Sequence, residues 1–119
     1  MMRVMRICIG IWTLLLVAGE LHALDGKAPL ALFQQSCIKC HGKDGKVKGK
    51  VNLLKIRTAS DLTSDLERLQ TIIEVLDARE MPPEKEPELK PGTRVVVVKE
   101  LRGLLAAAAS AEQGFAPTP

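Results

Sequence analysis

The chain has 119 residues and a formal charge of +3, which confines it to one domain with a mild basic excess. Only 3% of its residues are aromatic. That leaves no platform for base stacking and argues against a nucleic-acid partner.

The N-terminus reads as a targeting segment. Arg3 and Arg6 supply a positive start, and residues 7–19 form an uncharged apolar run. The run has signal-peptide length and is short for a bilayer span. Residues 1–23 are therefore expected to be a signal peptide. Cleavage could follow Gly19, with Val17 at −3, or Ala23, with Leu21 at −3. An uncleaved anchor is the competing reading. No cysteine follows the run, so no lipid anchor is expected. The mature protein is expected in the periplasm or otherwise exported, with no stable membrane span after removal of the signal.

Cleavage after Ala23 leaves about 96 residues (119 less 23), small for an independent core. Phe33 and Phe115 are then its only rings. Residues 24–28 form a lead-in, and Pro29 suits the first turn of a helix, where its missing N–H matters least. Leu30, Phe33 and Cys37 recur at helical spacing, and Gly42 is placed to close the helix in a left-handed conformation. The helix should span about three turns and deliver the run Cys37-Ile38-Lys39-Cys40-His41 at its end. Residues 42–52, rich in glycine and lysine, read as a loop.

Lys39, Lys43, Lys46, Lys48, Lys50, Lys55 and Arg57 cluster here with Asp44 as the lone acid, whereas Glu80, Glu84, Glu86 and Glu88 gather later. The lysines are either an ordinary solvated surface or a positive collar that steers acidic partners.

A second helix should begin near Ser60 or Ser64, with Ser64 and Glu67 as a capping box. Leu62, Leu66, Leu69, Ile73 and Leu76 trace its apolar stripe. The stripe stops before Glu80-Met81-Pro82-Pro83, because Pro82 disfavours a helical Met81. Residues 84–92 read as a proline-bounded loop. Val95-Val96-Val97-Val98 favours a strand by propensity. A lone strand has no partner, however, and Val97, Leu101, Leu104 and Ala108 keep helical spacing, so a helix is expected over 94–109. Gly103 inside it costs about 1 kcal/mol against alanine. A close crossing with the first helix near Phe33 would offset this. The folded body is expected over 24–110, with a flexible tail at 111–119.

Cysteine, histidine and methionine carry the chemistry. After the later cleavage they reduce to Cys37, Cys40, His41 and Met81. C-x-x-C-H is the attachment signature of c-type haem. The two thiols add across the haem vinyl groups, and the following histidine supplies the proximal nitrogen. A methionine thioether on the far face favours the ferrous state and raises the potential. Filling both axial positions leaves no open site for substrate and points to electron transfer rather than catalysis. A zinc site would need four ligands, and the mature chain offers three cysteines and histidines. A redox dithiol would follow a strand, whereas a helix is expected before Cys37. A disulfide across two residues closes too small a loop to stabilise much. Met81 could instead be a core filler, and cleavage after Gly19 would retain His22 as a rival ligand.

On these residues the chain resembles the class I c-type cytochromes, and in particular the planctomycete-type cytochrome c haem domain. The shared pattern is an aromatic four residues before the first cysteine, then C-x-x-C-H, a helix ending in Met-Pro-Pro, and a C-terminal helix. The resemblance implies an all-α, small three-helix fold around one covalently attached haem c. Cys37 and Cys40 would form the thioethers, His41 and Met81 would bind the iron, and Asn52 and Leu53 would lie near the haem. Lys50 and Arg57 are candidates for the haem propionates. The implied function is single-electron transfer between redox partner proteins. The alternative is a haem-based sensor or ligand-binding domain in which Met81 is displaced.

Overall fold

The structure, a computed structural model, describes residues 24–114. The expected signal segment 1–23, both candidate cleavage sites and His22 lie outside the described residues, as do residues 115–119. Among the described residues the fold is helical and contains no strand, which agrees with the all-α expectation.

Helix α1 spans Lys27–Leu32 and runs into a π-helical turn over Phe33–Cys37. Its hallmark is the Ile38 amide donating to Phe33 O at 3.0 Å. A single π turn inside an α-helix is a frequent device at functional sites. It ends here on the first cysteine. Gly42 does not close the helix as expected: its φ of 148 and ψ of −40 lie away from the left-handed helical region. The turn is closed instead by the Cys40 and His41 amides donating to Cys37 O, at 3.3 and 3.1 Å.

The second helical region departs from expectation at its start. Helix α2, Ala59–Thr63, is capped by Thr58 and Asp61, each side chain accepting from the other's amide. Helix α3, Leu66–Asp77, starts from Asp65, whose carboxylate accepts from the Arg68 amide at 2.9 Å. The Ser64–Glu67 box is therefore absent. Ser64 ends α2, and its hydroxyl donates to Asp61 O at 2.8 Å. Aspartate reaches the exposed amides at the start of a helix as readily as serine does, and here it occupies the capping position.

Helix α4 runs Pro91–Gly114, longer than expected at both ends. Residues 111–114 are thus helical rather than tail. The four valines lie inside this helix. Val97 and Val98 are buried, while Val95 and Val96 face solvent. The short α2 is an addition to the expected three helices.

The core forms where α3 and α4 pack together, closed at one end by α1 and the π turn. Leu69, Ile73, Leu76, Val97, Leu101 and Leu104 fill it with Phe33 and Leu62. Each fully buried aliphatic of this kind contributes about 1.5–3 kcal/mol. Gly103 does not mark a crossing with Phe33: a β-carbon there would meet Leu24 Cδ2 at 2.8 Å. The N-terminal lead-in crosses α4 at this point.

Candidate functional site

One cleft of about 790 Å³ is bordered by the π turn, the loop after it, α3 and the segment following α3. Cys37, Cys40, His41 and Met81 all line it, together with Phe33, Leu53, Ile72, Val75 and Leu76. The volume lies within the usual range for a bound cofactor or small ligand, about 300–1,000 Å³. Residues 40 positions apart in the chain thus share one cavity.

The cysteines carry free thiols and are partly buried. Burial away from water, with a smaller contribution from neighbouring Cys40, pushes the Cys37 thiol up to about 11. Desolvation penalises the thiolate more than the neutral thiol.

His41 is held by the glycine- and lysine-rich loop. Its Nδ1 lies 2.8 Å from Lys48 O. A carbonyl oxygen only accepts, so Nδ1 carries the proton and Nε2 keeps its lone pair for a metal. This is the outer hydrogen bond that orients ligating histidines and raises their basicity. The Lys48 amide donates to Cys40 O at 3.1 Å, and the Leu53 amide donates to His41 O at 2.7 Å. An isolated bridge joins His41 to Val47. The loop is therefore a clamp on the motif, a role that glycine and lysine content did not reveal.

Met81 lies on the segment that leaves α3. Arg79, with a φ of 61, turns the chain out of the helix. The Glu80 and Met81 amides both donate to Val75 O, at 2.9 and 3.2 Å. The Met81–Pro82 peptide bond is cis.

The other expected site residues divide. Leu53 is buried and lines the cleft. Asn52 does not line it; its Oδ1 accepts from the Leu54 amide at 3.1 Å and caps the short 3-10 turn Leu53–Lys55. Lys50 lines the cleft, whereas Arg57 turns away and its Nε donates to Leu54 O at 3.3 Å. Lys39 and Lys48 join Lys50 at the cleft. Lys39, between the two cysteines, holds both carboxylate oxygens of Glu86, at 2.9 and 3.1 Å, and so ties the motif to the loop beyond Met81. Sequence reading missed Arg68, which lines the cleft and whose Nε is buried without a partner. Its signal was only a charge beside an apolar stripe.

No family model, curated protein or solved structure matches this chain. Among the described residues no helix is long and apolar enough to cross a membrane. No group of three or more His, Cys, Asp or Glu side chains is gathered there to hold a metal ion. The donors that do converge are two thiols, one imidazole and one thioether around apolar walls. That set fits a covalently attached haem, which asks the protein for two thiols and one or two axial ligands.

Proposed function

We propose that the chain is an exported monohaem c-type cytochrome that carries single electrons between redox partners and performs no catalysis of its own. The observation that carries this reading is the meeting of Cys37, Cys40, His41 and Met81 in one apolar cleft, with His41 Nδ1 satisfied by Lys48 O. Cys37 and Cys40 would hold haem c through thioethers. His41 Nε2 and the Met81 sulfur would be the donors to its iron. When bound, the group supplies reversible one-electron chemistry at iron.

The protein's part is orientation and exclusion of water. The Lys48 carbonyl fixes the imidazole plane. Phe33, Leu53, Ile72 and Leu76 keep the cleft apolar, which disfavours the extra charge of the ferric state. A methionine ligand pushes in the same direction. Lys48 and Lys50 would present positive charge to an acidic partner and raise its encounter rate at low salt.

The deciding experiment is the absorption spectrum of the exported protein, oxidised and reduced, from a host able to mature c-type cytochromes. Sharp c-type bands with the weak far-red band of methionine-bound ferric haem are expected. Haem bands without that feature would favour the ligand-binding alternative, and no haem at all would sink the reading. Met81→Ala should lower the potential and open the iron to carbon monoxide. An unchanged potential with no new ligand binding would remove Met81 from the site.

A further inference from the structure

Arg94 stands apart from the other charged side chains of the described chain because it is buried, at 8% exposure. Among the described residues no carboxylate pairs with it. A buried charge normally requires such a partner. Its charge is met instead by two backbone carbonyls. From α4, Nη1 donates to Leu76 O at the end of α3 and to Met81 O at 3.0 Å. The guanidinium thus sits at the negative end of the α3 dipole, a favourable place for a cation.

The second of these bonds has a consequence for the cleft. The Met81 amide is already held by Val75 O at 3.2 Å. With its carbonyl held by Arg94, both backbone polar groups of Met81 are anchored, one to α3 and one to α4. Met81, outside any helix, thereby has both its backbone amide and its carbonyl hydrogen-bonded, as a residue inside a helix does.

We propose that Arg94 is a positioning residue for the Met81 thioether, holding the ligand's backbone against α3 so that its sulfur stays on the iron. This rests on the reading of Met81 as an axial ligand. Arg94 also brings a guanidinium beside the segment that carries Met81, which would favour the ferrous form of the site.

The test compares three variants of the haem-loaded protein. Arg94→Met keeps a long apolar stem and removes both hydrogen bonds. Arg94→Lys keeps the charge on a shorter reach that cannot reproduce the guanidinium fork. Val97→Ala, on the same helix and 2% exposed, loosens the core at a residue that does not line the cleft. In Arg94→Met the far-red band should fall by more than half. Carbon monoxide should bind the reduced protein about tenfold faster, the effect of losing one hydrogen bond from a charged donor. Arg94→Lys should lie between this and wild type, and it carries the test if Arg94→Met fails to accumulate. Val97→Ala should lower the thermal midpoint and leave band and binding rate unchanged.

Wild-type bands and rates in both Arg94 variants, whatever their stability, would overturn the proposal and leave Arg94 as a support for α3 alone. A wild-type protein with haem but no far-red band would overturn it together with the Met81 assignment. Absence of haem would instead strike the proposed function itself.

Discussion

Gly42 follows the histidine of the motif, and Gly42→Ala should be among the most damaging single-methyl additions in the chain. Its φ is 148, a value that side-chain-bearing residues rarely adopt. A β-carbon there would lie 2.8 Å from Asn52 Oδ1, 2.8 Å from Leu54 Cγ and 3.1 Å from the Leu54 backbone nitrogen. The strained backbone costs on the order of 1–3 kcal/mol. Displacing Asn52 from the Leu54 amide forfeits a cap worth about 1 kcal/mol. The total is about 2–4 kcal/mol. For a domain of this size that lowers Tm by roughly 8–30 °C.

The assay is thermal unfolding of the haem-loaded protein followed by far-UV circular dichroism. The same substitution should cost less in an Asn52→Ala background, because one of the clashing atoms is gone while Leu54 remains. A Tm within about 3 °C of wild type would show that the turn after His41 yields freely, and would refute the claim that it is fixed.

Gly103→Ala should behave in the opposite way. The atom it meets is the tip of Leu24, which is 46% exposed and free to swing aside, while helix propensity gains about 1 kcal/mol. A Tm equal to or above wild type is expected, and a clear loss would mean that the lead-in is rigid. In the haem-free chain Cys37 should alkylate at pH 8 about 100-fold more slowly than in the urea-unfolded chain, following its rise from 9.0 to about 11. The neutral thiol is the form the fold favours. The stability contributed by this group is therefore complete below pH 9 and lost as pH climbs through about 11. Equal alkylation rates in folded and unfolded chains would contradict the burial of Cys37. The Lys39–Glu86 pair is solvent-exposed at the lysine end, so replacing both residues by alanine should leave the unfolding midpoint within experimental scatter, with any coupling gone at about 1 M salt. A large, salt-insensitive coupling would mean that the tie across the cleft is structural.

What the sequence by itself determined is whatever local chemistry and periodicity specify. Of the stripe Leu62, Leu66, Leu69, Ile73 and Leu76, all but the half-buried Leu66 are buried, although Leu62 falls on the separate α2, and the C-x-x-C-H run ends a helix. Pro82 follows the end of the second helical region as expected, whereas Gly42 does not close the first helix and Gly92 lies inside α4. Local rules did not decide which of several capping residues would win: Thr58 and Asp65 start the helices, and Ser64 ends one. The four valines are helical as the spacing of Val97, Leu101 and Leu104 requires, against their strand propensity, and packing between α3 and α4 decides that Val97 and Val98 are the pair buried.

The site depended still more on tertiary structure. Lys48 orients His41 through its backbone carbonyl, an atom every residue carries, so no side-chain pattern could announce it. Arg94 lies thirteen residues beyond Met81 and reads as one more charge on a helix until packing buries it. Side-chain identities are written in the chain, but hydrogen bonds to backbone atoms arise only when the helices pack, and those bonds fix where the imidazole and thioether stand.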